Sequence, residues 1–411
     1  MSERIVQLPS GLTVAVEPMV STRTAAIGVW VGVGSRDETA EIAGMSHFVE
    51  HLLFKGTQRR SATDISRTVD RLGGDINAHT SKEYTAYYCR LPARHSEIGV
   101  ELLGDLITSP ALRDDDVESE RQVILEEMAM DDDNPEEVVH RSFGATVFGD
   151  DHPLGWDTAG DRESVRDLKP ALVREFFEQR YRSENTVVAV AGAVDPDAVI
   201  DQVTKSFDAL RPGVGRRPRA APGDEMDAGR VVAMDDDTEQ IHMVVGGRSV
   251  ARLDPDREAL DVANHVLGGG LSSRLFDEIR ERRGLAYSVF SSAAAYADTG
   301  AWSIYAGAMP EHAADVRALI AAELDRLVDG GITADELDIA QGFLAGSYEM
   351  GLEDSGARMS RIGGQLLLLG HLRSVEEQLD RWSNVDLDDV TRVIERVYGA
   401  GEPVTVTVGP V

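Results

Sequence analysis

The distribution of apolar and polar residues predicts short strands interspersed with longer amphipathic helices along the chain. TVAVEP and TAAIGVWVGVGS have the apolar, partly alternating pattern of β-strands, and DINAHTSKEYTAYYCRL predicts a hairpin or a pair of strands. Helices are predicted over residues 44–56, 62–72, 95–107, 114–130, 135–148 and 170–180. Strands and helices do not follow a regular βαβ order, so we predict an α+β fold whose mostly antiparallel or mixed sheets are covered by helices.

The segment RPGVGRRPRAAPGDE, from Arg211 to Glu225, is rich in Pro, Gly and Arg and has no apolar periodicity. Such a composition is typical of an extended, solvated linker. We therefore predict an N-terminal domain over residues 1–210, a linker over 211–225 and a C-terminal domain over 226–411.

The two predicted domains repeat one sequence pattern. FFEQRYRSENTVVAVAGAV resembles VIERVYGAGEPVTVTVGPV at the end of the chain, and YYCRLPARHSEIGVELLGDLI resembles SIYAGAMPEHAADVRALIAAEL. The matched positions include Tyr181 with Tyr398, Pro92 with Pro310, and Phe54 with Phe276. A repeat at about half the chain length indicates two homologous domains that arose by internal duplication.

The chain is strongly acidic, with a formal net charge of −31. Nucleic acids and anionic membranes both need a basic protein surface, so this charge argues against either as a partner. Two interpretations of the acidic surplus stay open. One is a surface suited to high salt or to solubility, and the other is an electronegative chamber that attracts basic substrates.

The sequence has no apolar run of the about 20 residues that a transmembrane helix needs. Its start has the features of neither a signal peptide nor a transit sequence. Cys89 is the single cysteine, which excludes an intramolecular disulfide and a thiolate zinc cluster. Together these features predict a soluble protein of a reducing cytoplasm.

The stretch GMSHFVEHLLFK, from Gly44 to Lys55, places His47, Glu50 and His51 among apolar residues. At about 100° per residue, the three polar side chains fall on one helical arc. Two imidazoles at positions i and i+4 can reach one metal ion, and a carboxylate beside them can hold or activate a water. The alternative interpretation is an ordinary half-buried helix with some polar residues.

A metal site would need a further ligand, because zinc hydrolases commonly use three protein ligands and leave a fourth position for water. The best candidates are Glu120 and Glu127 in DDDVESERQVILEEMAM, which lie on one face of a predicted helix. Glu127 follows the apolar run Val123 to Leu125, and a carboxylate near an apolar core favours a cation as its partner.

The internal repeat helps to distinguish the two interpretations of this helix. In the second half, Gly269, Ser272 and Ser273 stand where the first half has its two histidines and its acid. Ser347 or a neighbour stands where the first half has Glu127. The fold is built twice and the polar cluster occurs once, which favours a functional over a folding role for the cluster.

H-x-x-E-H is the inverted zinc-ligand motif. It is accompanied, in order, by GGDINAHTSKEYTAYY, ERQVILEEMAMDDDNP, HPLGWDTAG and SSRLFDEIRERRGLAYSV. With these segments the chain resembles, over nearly its whole length, the pitrilysin and mitochondrial processing peptidase family of zinc metallopeptidases, in its short two-domain bacterial-type branch. The resemblance implies a zinc-dependent endopeptidase that hydrolyses unfolded peptides or presequence-like segments.

The resemblance also assigns roles to residues of the first domain. It implies one zinc ion per chain, bound by His47, His51 and Glu127. Glu50 would be the general base that acts on a zinc-activated water, and Glu120 would support the ligands.

Other roles follow from the same resemblance. Asn77 and Ala78 are expected to hold the substrate backbone at the edge of a strand. From the second domain, Tyr287 is expected to hydrogen-bond the oxyanion of the reaction, and Arg280 to fix the position of the substrate or of the domain.

Partners are also implied by the resemblance. Half-length members of the family pair as homodimers or with a homologous inactive subunit, so we expect one of these arrangements, with peptides as substrates. The alternative function is a non-catalytic partner or scaffold subunit of the same fold, since some relatives keep the fold and lose the zinc ligands. The complete ligand set in this sequence favours the enzyme.

Overall fold

The computed structural model describes residues 3–215, 218–223 and 228–410, which form two compact units. Unit 1 comprises the residues to Met128, Asp157–Arg219 and Glu349–Leu372, and unit 2 comprises Ala129–Trp156, Ala220–Tyr348 and the residues from Arg373. Residues 216–217 and 224–225 of the predicted linker lie outside the described residues.

The elements are numbered in chain order. The strands are β1 Arg4–Gln7, β2 Thr13–Pro18, β3 Thr24–Val31, β4 Asp75–Thr80, β5 Thr85–Pro92, β6 Thr186–Gly192, β7 Val231–Asp235, β8 Ile241–Ser249, β9 Ala286–Ala295, β10 Gly300–Ala308 and β11 Val404–Gly409. The helices are α1 Met45–Phe54, α2 Ala62–Leu72, α3 Ser96–Thr108, α4 Asp114–Asp132, α5 Pro135–Phe148, α6 Arg162–Asp167, α7 Pro170–Arg180, α8 Pro196–Ser206, α9 Arg257–Asn264, α10 Ala313–Gly330, α11 Ala334–Gly351, α12 Ser355–Leu368, α13 Val375–Ser383 and α14 Leu387–Val397.

Each unit contains one mixed sheet. The sheet of unit 1 has the order β1-β2-β6-β3-β5-β4, and the sheet of unit 2 has the order β7-β11-β8-β10-β9. In each sheet one pair is parallel, β2 with β6 and β7 with β11, and the remaining pairs are antiparallel. From β2 and from β7 onward, the strand order and directions are the same in both sheets. The predicted α+β class and the mixed sheets are confirmed.

The two units exchange one helix each, which the sequence did not reveal. Helix α12, from the second half of the chain, packs against β3 and β6 of unit 1, and α5, from the first half, packs against β8 and β11 of unit 2. The compact units therefore depart from the predicted boundaries at residues 129–156 and 349–372. An amphipathic pattern shows that a helix has an apolar face, but it does not show which sheet that face covers.

The contact of α12 with the first sheet depends on a glycine. A Cβ atom at Gly363 would lie 2.1 Å from Nε1 of Trp30 on β3, so any larger residue would force the helix away. β3 and β6 are almost wholly apolar, as expected for strands that are covered on both faces.

Unit 2 differs from unit 1 in the segment that the internal repeat matches to α1. This part of unit 2 contains two π-helical turns after α9, His265–Gly269 and Phe276–Glu281. Turns of this kind are rare and interrupt a regular helix. Among the described residues, no helix combines the length and the apolar character needed to cross a bilayer.

Candidate metal centre

Helix α1 has one face in the core of unit 1. Its apolar residues are almost completely buried there, namely Met45, Phe48, Val49, Leu52 and Leu53. His47, Glu50 and His51 are only partly buried. The predicted helical arc is therefore present, and the apolar surround of the three polar residues is explained by the core beneath them.

The start of α1 is fixed by a buried carboxylate and by a close backbone approach. Glu38 accepts hydrogen bonds from the N–H groups of Gly44 and Ser46 at 2.7 and 2.6 Å, and burial raises the pKa of Glu38 to about 8. Gly44 has φ 89°, and a Cβ atom there would lie 2.2 Å from the carbonyl oxygen of Ala159. A Cβ atom at Gly160 would in turn lie 2.3 Å from the carbonyl oxygen of Ala43, just before α1, which explains the last glycine of the HPLGWDTAG segment.

Helix α4 brings Glu127 to the two histidines. One donor atom from each of His47, His51 and Glu127 lies within 4.8 Å of the other two, and the described ranges contain no second group of this kind. Nε2 of His51 is 3.4 Å from Oε2 of Glu127. Ligand atoms at about 2.0–2.1 Å from a tetrahedral zinc ion are separated by about 3.4 Å, so this pair is already spaced for zinc.

The state of His47 also suits a metal ligand. Burial, together with the neighbouring His51, lowers the pKa of His47 to about 4, so its imidazole is neutral at pH 7. Metal binding requires the neutral ring. Nδ1 of His47 is buried and has no hydrogen-bond partner within the described part of the chain. The donor set therefore fits a zinc ion.

Glu120 lies two turns before Glu127 on the same face of α4 and contacts His51. Its carboxylate is 6% exposed and lies 3.2 Å from Nδ1 of His51 and 2.7 Å from Nζ of Lys55. A carboxylate on one ring nitrogen fixes the histidine tautomer and leaves the other nitrogen for a metal. The family resemblance implies this supporting role for Glu120, whereas the contact of Lys55, which ends the same GMSHFVEHLLFK stretch, was not predicted.

Glu50 is held by a residue that the sequence analysis did not single out. Oγ1 of Thr80, at the end of β4, donates to Oε2 of Glu50 at 2.5 Å. Burial raises the pKa of the Glu50 carboxyl above its ordinary value. Thr80 follows Ala78 by two residues in the segment GGDINAHTSKEYTAYY, and a threonine at a strand end gives no distinctive sequence signal.

The two predicted substrate-contacting residues lie on β4, at the edge of the six-stranded sheet. Asn77 is exposed and its side-chain oxygen accepts from the N–H of Ala78 at 2.8 Å. An edge strand presents backbone groups to which another chain can pair.

Arg280 and Tyr287 lie together in unit 2. The guanidinium carbon of Arg280 is 5.2 Å from the ring centroid of Tyr287 and 4.8 Å from that of Phe276. Tyr287 is 77% exposed and is the additional residue of a β-bulge, since Ala286 pairs with Ala308 and Ser288 with Gly307. Bulges re-aim side chains and are common beside active sites.

Comparison with known proteins decides the family. Residues 13–161 match the family described as Insulinase (Peptidase family M16), and residues 167–344 match the Peptidase M16 inactive domain. An uncharacterized zinc protease of Streptomyces coelicolor is 43% identical over 408 residues, covering 98% of this chain and 88% of that protein. The chain belongs to peptidase family M16.

Other members of the M16 family agree with this assignment. An uncharacterized zinc protease of Mycobacterium tuberculosis is 44% identical, over 97% of this chain and 92% of that protein. The uncharacterized zinc protease YmxG of Bacillus subtilis is 33% identical, over 95% of this chain and 94% of that protein. The predicted resemblance is therefore confirmed.

Two solved structures share the M16 fold. A protease from Helicobacter pylori superposes with a TM-score of 0.91 at 26% identity, covering 100% of both chains. The peptidase M16 inactive domain from Pseudomonas fluorescens has the same TM-score at 20% identity, covering 100% of this chain and 98% of that one. At that lower identity the likeness concerns the fold alone. The family described as the inactive domain matches residues 167–344 of this chain. His47, His51 and Glu127 lie outside that range.

Proposed function

We propose that this chain is a zinc-dependent endopeptidase that hydrolyses unfolded peptides or presequence-like segments, with Glu50 as the general base. The observation that carries the proposal is that donor atoms from His47, His51 and Glu127 lie within 4.8 Å of one another. The two histidines share their face of α1 with Glu50. The zinc protease names of relatives across 95–98% of the chain support the same chemistry.

His47, His51 and Glu127 would hold the zinc ion, which would act as a Lewis acid and would lower the pKa of a water at the site to about 7. Glu50 takes a proton from the attacking water at its carboxylate and returns it to the leaving amine.

The edge position of β4 supports an extended peptide as the substrate. A peptide can add to an edge strand through backbone hydrogen bonds, which requires an unfolded segment. Asn77 and Ala78 would provide the groups that contact the backbone of that peptide. Pairing of the chain with a second, homologous chain stays a prediction from the family.

For unit 2 we propose the roles that the family resemblance implies. The Tyr287 hydroxyl would donate to the oxyanion, and Arg280 would fix the position of the substrate or of the domain. Their mutual contact and the bulge at Tyr287 support a joint role.

The test is cleavage of a fluorogenic peptide by wild type and by Glu50→Gln, each with and without a chelator. We expect Glu50→Gln to lose at least about 100-fold in kcat while it keeps its zinc, because loss of a general base typically costs 10²–10⁴-fold. Glu41→Gln, at an exposed glutamate nine residues earlier, is the matched control and should keep full activity. Equal rates for Glu50→Gln and wild type would contradict the proposal.

Metal analysis tests the ligand set separately. His51→Ala should lose most of its zinc, since two protein ligands remain. Full zinc occupancy in this variant would remove His51 from the ligands. A wild-type chain that binds zinc and cleaves no peptide would favour the non-catalytic scaffold instead.

A further inference from the structure

The contact between Thr80 and Glu50 is short and directional. The Thr80 hydroxyl donates to Oε2 of Glu50 at 2.5 Å. A carboxylate has about four acceptor positions, so this bond leaves room for a proton from a water.

Thr80 is itself held rigidly by the β4–β5 hairpin. It pairs with Thr85 across the two strands, and the N–H of Ser81 donates to the carbonyl of Tyr84 at 2.8 Å to close the turn. A second segment clamps the turn, because the N–H of Ser35 donates to the carbonyl of Ser81 at 3.1 Å. The donor that Glu50 meets therefore has a fixed position.

The Thr80 hydroxyl has no comparable acceptor within the hairpin. The nearest one, Oγ1 of Thr85, is 3.4 Å away, and the hydroxyl of Thr85 donates to the carbonyl of Val33 at 2.9 Å. Branching at Cβ explains a threonine at a strand position, but it would equally explain a valine. The hydroxyl itself is accounted for by Glu50.

We propose that Thr80 is a positioning residue that holds the Glu50 carboxylate in the rotamer from which it accepts a proton. A glutamate has three side-chain torsions, and a reacting group must be held within about 0.5 Å of its working position. Thr80 lies on the same strand as Asn77 and Ala78, so one rigid strand both offers the peptide-binding edge and fixes the base. This inference rests on the proposed function.

The kinetic test compares Thr80→Val, which keeps the branched shape and removes the hydroxyl, with wild type. A misplaced catalytic group can cost about 100-fold, so we expect kcat to fall roughly 10- to 100-fold. KM should change by less than about twofold and zinc content should stay at the wild-type value, because neither substrate nor metal contacts are removed. Thr80→Ser restores the hydroxyl and should recover most of kcat. Thr80→Ala provides a second hydroxyl-free variant should the valine variant fail to fold.

Thr57→Val is the matched control in the same unit. Thr57 is buried, whereas Thr80 is partly buried, and the Thr57 hydroxyl likewise donates to a carboxylate, that of Asp105, at 2.7 Å. Its loss should lower stability and leave kcat unchanged. If both control and test variants lose kcat equally, the effect of Thr80 is structural and the proposal is wrong.

A double variant shows whether Thr80 acts through Glu50. Adding Thr80→Val to Glu50→Gln should cause little further loss, since residues that act as a unit are not additive. A full additional loss, an unchanged kcat in Thr80→Val, or failure of Thr80→Ser to recover activity would each overturn the inference. Failure of the proposed function has a different signature, namely Glu50→Gln as active as wild type.

Discussion

His51 and Glu120 are joined by a hydrogen bond of 3.2 Å between Nδ1 and Oε2, although 69 positions separate them in the chain. In this bond the carboxylate of Glu120 accepts and Nδ1 of His51 donates, which leaves Nε2, the nitrogen 3.4 Å from Oε2 of Glu127, as the one that can bind a metal. The bond thus favours Nε2 of His51 as the nitrogen for the proposed zinc ion, and α4 supplies both the orienting carboxylate and Glu127, the proposed third ligand.

Replacing Glu120 should weaken zinc binding without removing a ligand. We expect Glu120→Gln to raise the zinc dissociation constant by about 10- to 100-fold, the usual effect of losing the carboxylate behind a ligating histidine. Competition against a chromogenic chelator measures this change. Asp115→Asn, at an exposed acid in the first turn of the same helix, should leave affinity unchanged. Equal affinities for Glu120→Gln and wild type would contradict the orienting role.

Gly44→Ala should destabilise unit 1 through the start of α1. The added Cβ would lie 2.2 Å from the Ala159 carbonyl oxygen, at a backbone φ of 89° that also disfavours alanine. We expect a loss of about 2 kcal/mol or more in the free energy of unfolding, measured with urea. Gly73→Ala has a similar φ of 70° and an open space around its Cβ, so it should cost only about 1 kcal/mol. Equal losses would rule out the close approach as the cause.

Tyr287→Phe tests the proposed role of unit 2. The variant keeps the ring beneath Arg280 and removes only the hydroxyl, so we expect kcat to fall about 10- to 1000-fold with zinc content unchanged. Tyr398→Phe is the control, because the hydroxyl of Tyr398 is buried without a hydrogen-bond partner among the described residues. Steady-state kinetics of both variants decide the matter. An unchanged kcat in Tyr287→Phe would remove the hydroxyl from the mechanism.

The ion pair of Glu336 with Arg274 should give unit 2 a defined acid sensitivity. Arg274 holds Glu336 at 2.6 and 2.8 Å, and this pairing lowers the pKa of Glu336 to about 2. Because the folded-state pKa is depressed, the pair stabilises the protein fully above the ordinary glutamate pKa of about 4.3 and loses that effect as the pH falls towards 2.

Glu336→Gln should therefore be less stable than wild type at pH 7 and approach it in acid. Because part of each side chain faces solvent, we expect a difference of about 1 kcal/mol, which shrinks as the pH falls from about 4.5 towards 2. Urea unfolding at several pH values measures the difference. Asp335→Asn, at the exposed neighbouring acid, should show no such trend. A difference that grows on acidification would show the sign to be wrong.

Much of the secondary structure followed from the sequence pattern. The helices predicted over 135–148 and 170–180 have these bounds in α5 and α7, and the arc of His47, Glu50 and His51 on α1 is present. Local periodicity was sufficient here, because helix faces depend on residues only three or four positions apart.

The exchange of α5 and α12 between the two units could not be obtained in this way. An apolar helix face must be covered, but several sheets can cover it, and the choice depends on contacts between segments distant in the chain. Close approaches such as that of Gly363 to Trp30 decide it, and these have no local sequence pattern.

The sequence by itself determined which residues are candidate ligands, their order and the duplicated architecture, because these depend on residue chemistry and on periodicities within a few turns. Only the tertiary structure decided that Glu120 fixes the tautomer of His51, that Thr80 reaches Glu50, and that Arg280 lies over Tyr287. A hydrogen bond depends on distances of a few tenths of an ångström between separate elements. Those distances are set when the helices and the hairpin pack against one another.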